Sequence, residues 1–303
     1  MFRRTWAVLK EAGQEWLDDD ATRLSAALAF YTILSIAPLL VIATAVTGMV
    51  LGDEAASGQL ERQVRGFSGD AGAEVLKTTV ENADRPKTGA LATVIGVATL
   101  LFGASGVFGE LQGALNTVWD VKPKPGRGIW GIVRDRFLSF GMILVVGFLL
   151  LVSLFVSAAL AAVSDHLAGL VPGLPTLMMV ANFVVSFGVV TLLFAAIFKL
   201  LPDAKIAWRD VWFGAAVTAG LFTLGKFLIG LYLGTAGVAT PFGAAGSVVA
   251  FVVWVYYSGL IVFFGAELTQ VVARHRGRRI EPKENAEPAD PTPAKRELVT
   301  RGP

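Results

Sequence analysis

Four side chains fall where their chemistry is costly: Glu110, Asn116, Lys226 and Glu267 sit inside or at the ends of long apolar runs. Ionisable groups so placed are default candidates for an ion, solute or headgroup pathway, because hydrocarbon strongly disfavours charge. Lys226 lies about 15 residues into its run, roughly 22 Å along a helix, where a lysine stem can also snorkel to the outer headgroups. Glu110 and Glu267 close their runs, so solvated end-caps are the plain alternative. Asn116 and Gln112 follow Glu110 on nearby helical faces, and Asn182 lies inside a fourth run. Hydrogen bonds between helices account for all three without a substrate. Nucleophilic and metal chemistry has little to build on. There is no cysteine, and only His166 and His275 are available as imidazoles. No G-x-x-x-x-G-K-[ST] loop occurs, which excludes a P-loop ATPase within the chain. We expect a protein that is not an enzyme, with no catalytic residues, no metal and no cofactor.

The elements that carry these residues are set by hydropathy. The chain has 303 residues, 54% hydrophobic and 17% charged, against about 25% charged in ordinary soluble domains. A bilayer core needs roughly 20 apolar helical residues, and six stretches meet that length: 26–48, 89–109, 137–163, 176–198, 211–233 and 245–266. Nothing alternates with the ten-residue period of barrel strands. The predicted fold is all-α, a bundle of six transmembrane helices within 24–274. The first run begins too late and is too long for a cleavable signal peptide.

Basic residues cluster in alternate connections. Arg3, Arg4, Lys10 and Arg23 precede the first run, five lie between Lys122 and Arg136, Lys199, Lys205 and Arg209 follow the fourth, and Arg274, Arg276, Arg278 and Arg279 follow the sixth. The connections after the third and fifth runs carry none, and the five after the first run are diluted by seven acids across Asp53 to Lys87. The positive-inside rule then puts both termini in the cytoplasm. His166 and His275 fall on opposite sides, so they cannot share a metal.

Outside the runs, residues 1–23 read as an amphipathic helix, either lying at the lipid interface or packed on the bundle. Asp53 to Lys87 has apolar residues at helical spacing and predicts two short external helices. The tail 275–303 is rich in proline and charge and reads as disordered. Glycines recur four apart at Gly48/Gly52, Gly109/Gly113 and Gly230/Gly234, a spacing that permits close helix approach.

ALAFYTILSIAPLL (27–40), GALNTVWDV (113–121), LPDAKIAWRDVWFGA (201–215) and FGAAGSVVAFVVWVYYSGLIVFFGAEL (242–268) occur in that order. Together they resemble the signature blocks of the YihY/BrkB family, and the likeness runs from about Arg23 to Arg274. The resemblance implies a multi-pass protein of the bacterial inner (plasma) membrane whose relatives have been called virulence factors. Transport or export is the usual suggestion for them. Older records use the label ribonuclease BN. Positions matching the motifs include Tyr31, Pro38, Trp119, Pro202, Arg209, Trp254 and Tyr256, and structural roles suffice for them. RNA hydrolysis of that kind normally needs a His and Asp metal cluster, which the two distant histidines do not supply. We therefore expect transport of a solute, ion or lipid, with membrane lipids as partners and no nucleic acid. A non-transporting envelope scaffold is the alternative.

Overall fold

The computed structural model describes residues 2–35, 106–125, 141, 174–235, 245–278 and 280–289. Elements are numbered here among those residues. The predicted spans 89–109 and 137–163, the external segment 53–87, Pro38, His166 and residues 290–303 lie wholly or almost wholly outside them.

The described residues are mostly helical. Helix α1 is Phe2–Asp18, α2 covers 21–35 and α3 covers 106–118. Three long helices follow: α4 (Leu174–Leu200), α5 (Trp208–Thr235) and α6 (Ala245–His275). Within them Thr176–Leu200, Trp208–Leu228 and Phe251–His275 are apolar enough to cross a membrane, with mean hydropathies of 2.3, 1.5 and 1.7. At 1.5 Å per residue, 21 to 25 residues reach about 31 to 38 Å, enough for the hydrocarbon core. The fourth span ends at Leu200, two residues beyond the expected 198. The fifth begins at Trp208 rather than 211, and the sixth continues well beyond 266.

Contacts divide the chain into two compact units: residues 1–21, 112–224 and 261–303 form the first, and 22–111 with 225–260 the second. In the first unit the core is built where α4, α5 and α6 carry Phe194, Phe198, Val211, Ala215, Phe263, Leu268 and Val271, with Leu115 and Val118 from α3 and Trp119 just after it. Phe194 stacks on Phe198 at 6.3 Å and meets Phe222 edge-on at 5.6 Å, so α4 packs on α5 through rings. The other end of α4 turns Leu177, Met179, Val180, Phe183 and Val184 outward, an apolar surface suited to lipid.

Glycine lets α5 and α6 approach closely. A Cβ at Gly214 would overlap the Thr269 side chain and lie 2.7 Å from the Gly265 carbonyl oxygen, and one at Gly265 would overlap Thr218. Each threonine hydroxyl turns back onto its own helix: Thr218 donates to the Gly214 carbonyl and Thr269 to that of Gly265, both at 2.7 Å. The result is an antiparallel glycine–threonine seam, with i, i+4 small residues on both sides. In the second unit Gly225 meets the Tyr257 ring and Gly259 meets Ser25. The flagged Gly113 has open space around it among the described residues.

Helix α1 packs on α6. Ala12 is buried against Leu268 and Val271, with Val8, Val217, Phe264 and Val272 around them. The face Val8/Ala12/Glu15 turns inward, whereas Trp6 and Leu9 are exposed. Arg274 donates to Glu11 at 3.0 Å and to the buried Glu15, and His275 meets Glu11 at 2.7 Å. Arg274→Met strips Glu15 of its guanidinium. The expected cost is about 2 kcal/mol, below that of a wholly buried pair because Arg274 stays partly exposed. Limited proteolysis should then cut near residue 18 faster, and Arg274→Lys should recover part of the protection. Equal protection in Arg274→Met would show that the apolar face alone holds α1.

The segment after α6 differs from expectation. Residues 280–289, placed by composition in a disordered tail, form two short strands. Strand β3 (Glu281–Pro282) pairs antiparallel with β2 (Ala204–Lys205), and β4 (Ala286–Pro288) pairs with β1 (Val121–Pro123). Composition missed this because the pairing partners lie about 80 and 165 residues earlier. Pro282, Pro288 and Pro123 sit at strand ends, where a missing N–H is tolerated.

Candidate functional site

Asp203 follows α4 in the connection LPD, where Pro202 prevents the helix from continuing. Its carboxylate is 2% exposed and gathers three side-chain amides. Asn116 donates to Oδ2 at 3.1 Å, Gln112 to the same oxygen at 3.4 Å, and Asn285 to Oδ1 at 3.0 Å. The Asp203 backbone N–H donates to Asn116 Oδ1 at 2.7 Å, and its carbonyl accepts from the Lys283 N–H at 2.8 Å. Asn116 thus reads both backbone and side chain of one residue. Amide donors stabilise a buried carboxylate without bringing a second charge. The cluster ties α3, the α4–α5 connection and the 280–289 strap together.

A second anchor closes α3. Asp120 adopts a left-handed conformation (φ 51°), uncommon outside glycine but tolerated by aspartate. Its Oδ2 accepts from Gln270 Nε2 at 2.9 Å, and its carbonyl accepts from the Ala289 N–H at 2.8 Å. Trp119 beside it is fully buried.

Glu267 lies in α6 within the span Phe251–His275, completely buried between Ala266 and Leu268 and next to buried Thr269 and Gln270. Asn116 and Glu267 belong to the first unit, Glu110 and Lys226 to the second. Lys226 is exposed, as are Leu224, Phe227 and Leu228 near it in α5, a setting compatible with snorkelling. Glu110 is half-buried, and desolvation raises its carboxyl above the ordinary range, with Arg23 pulling the other way. Tyr31 is exposed and meets Phe30 edge-on, while Ser35 is buried near Gly106. Trp254 and Tyr257 pack at 6.5 Å, and Tyr256 is half-buried.

At the α5 start and just after α6, Arg209, Arg276 and Arg278 line an open cleft of about 330 Å³. The buried Asp210 holds two of them, Arg276 at 3.4 Å and Arg278 more closely. Sequence reading singled out Arg209 alone. Asp203 and Asp210 passed unremarked, although each is a carboxylate in or beside a short basic connection. The Gly214/Thr218 and Gly265/Thr269 pairs were hidden by counting glycine alone as the small residue.

Long apolar helices with buried polar groups define an α-helical membrane protein. The chain belongs to the family described as Virulence factor BrkB, whose signature matches residues 12–290. Relatives named UPF0761 membrane protein agree with that assignment. The one from Pseudomonas aeruginosa strain LESB58 is 29% identical over 260 residues, 84% of this chain and 59% of the relative. The one from Idiomarina loihiensis is 28% identical over 289 residues, 93% and 96% of the two chains. The chain thus spans about three-fifths of the Pseudomonas relatives, but nearly all of the Idiomarina one. No solved structure matches.

Proposed function

We propose that the protein moves a solute or lipid across the bacterial inner membrane, as a multi-pass bundle of six helices with both termini in the cytoplasm. Three spans are supported by α4, α5 and α6, and the other three by the apolar runs 26–48, 89–109 and 137–163. The alternation of basic connections supports the orientation. One observation carries the transport reading: Glu267 is a carboxylate wholly removed from solvent inside a span. Ionisable groups are rare in membrane helices, and those that occur there mark candidate positions on an ion, proton or polar-substrate pathway. The proposal includes no enzymatic step, cofactor or nucleic acid, and gradients or a partner protein would supply the energy.

A scaffold without transport is the second reading, favoured by the Asn116–Asp203 clamp, which commits one pathway candidate to holding the fold. Purified protein in liposomes separates the two by lipid scrambling and solute leak. Wild type should move cargo, Glu267→Gln should lose at least tenfold in rate, and Lys226→Met should lose little if its ammonium only snorkels. No movement across a broad panel of lipids and solutes, with the fold intact, would leave the scaffold reading.

A further inference from the structure

The cleft between the start of α5 and the end of α6 is unusually cationic for its size. Arg209, Arg276 and Arg278 face a volume of about 330 Å³, and Asp210 offsets only one of the three charges. Asp210 is nearly fully buried, so it acts from beneath: it fixes Arg276 and Arg278 and leaves the open side to the guanidinium groups. Arg276 also donates to the Arg209 carbonyl at 3.3 Å, which holds the residue after α6 against the first turn of α5. With Asp210 counted, three arginines less one aspartate leave a net charge of +2, which a further anion would offset. Guanidinium forks match phosphate oxygens in spacing and in donor direction.

The depth of the cleft identifies the setting. Arg209 is the second residue of the span that starts at Trp208, and Arg276 is the first residue beyond the span that ends at His275. Both therefore fall at the ends of apolar spans, the depth at which headgroups are expected. Trp208 and Trp212, ring centroids 6.4 Å apart, are half-exposed on the adjoining turn of α5, as expected for aromatic side chains at a membrane–water boundary. We propose that this cleft binds a phosphate-bearing anion at the membrane surface, with Arg209, Arg276 and Arg278 as its ligands and an anionic phospholipid headgroup as the occupant the setting favours. The site is independent of cargo movement.

The test uses the full chain in detergent micelles, titrated with dioleoylphosphatidylglycerol or dioleoylphosphatidylcholine and read by native mass spectrometry. A second arm titrates inorganic phosphate and glycerol 3-phosphate, read by melting temperature. Arg209→Gln/Arg276→Gln removes two ligands and leaves Arg278 on Asp210. Lys205→Gln, an exposed lysine outside the cleft, controls for loss of basic charge alone. Wild type and Lys205→Gln should retain phosphatidylglycerol at least tenfold more tightly than the double variant, with no such difference for phosphatidylcholine. Arginine-dependent stabilisation by soluble phosphate instead would keep the site and assign it to a soluble anion. Equal retention by wild type and the double variant, with no response to soluble phosphate, would overturn the proposal, as would an equal loss in Lys205→Gln. An unchanged melting temperature for the unliganded double variant shows that its fold is intact.

Discussion

Gly265→Leu should separate α5 from α6 and abolish the stable, monodisperse protein. The added side chain has nowhere to go: even a Cβ there overlaps Thr218 and stands 3.3 Å from the Phe198 ring. Overpacking of a close contact costs about 1 to 3 kcal/mol for a few added atoms and more when the backbone must move. Gly265→Ala alone should cost about 2 kcal/mol in detergent unfolding. Pairing it with Thr218→Gly removes the colliding hydroxyl and should recover roughly half, a non-additivity expected only for residues in contact. The reciprocal pair should recover less. Gly214 faces the Gly265 carbonyl oxygen as well as Thr269, and Thr269→Gly cannot remove a backbone atom. Gly113→Ala and Gly220→Ala, where space is open among the described residues, should be nearly neutral. Equal damage from all four single alanine substitutions would rule out the seam.

Asn116→Leu should be the most damaging polar-to-apolar change in the first unit. It removes the donor to Asp203 Oδ2 and the acceptor of the Asp203 N–H together, leaving a buried carboxylate and a buried amide short of a partner each. Unsatisfied buried groups cost about 1 to 3 kcal/mol apiece, more when charged, so a loss of about 3 kcal/mol is expected. Gln112→Leu breaks only the longer 3.4 Å bond to the same oxygen and should cost about 1 kcal/mol. Asn285→Ala should fall between them. Chemical unfolding of the detergent-solubilised protein measures the order. If Gln112→Leu proved as costly as Asn116→Leu, bulk polarity and not this bidentate arrangement would be stabilising the connection.

The membrane helices were legible because hydropathy acts over twenty residues and needs no knowledge of neighbours. The fourth, fifth and sixth runs became α4, α5 and α6 with ends displaced by a few residues. The sixth was cut short at Ala266 because the charge of Glu267 read as a helix end at the interface, whereas the helix keeps Glu267, Thr269 and Gln270 buried and continues to His275. Polarity ends a hydropathy run but not a helix. The N-terminal helix was legible as amphipathic. Its buried face was not, because that face is marked by Ala12 and Glu15, one small residue and one carboxylate answered by Arg274. The Asp203 cluster was invisible for a different reason. Its amides come from residues 112, 116 and 285, and no local pattern signals a partner 80 residues away. Arg209 carried a motif signal, but its cleft forms only where the ends of α5 and α6 meet.

The strap formed by residues 280–289 also sets an order of assembly. When α4 and α5 leave the ribosome, Gln112 and Asn116 are already present to receive Asp203. Asn285, which supplies the third amide, is made about 80 residues later, after α6 has been inserted. Strands β1 and β2 likewise wait for β4 and β3. The connection at Asp203 therefore closes in two stages, first by Gln112 and Asn116 of α3, then by residues 281–288, translated after α6. Until residues 281–288 arrive, the Asn285 amide and the partner strands β3 and β4 are missing, so this part of the first unit is completed only after α6 has been made.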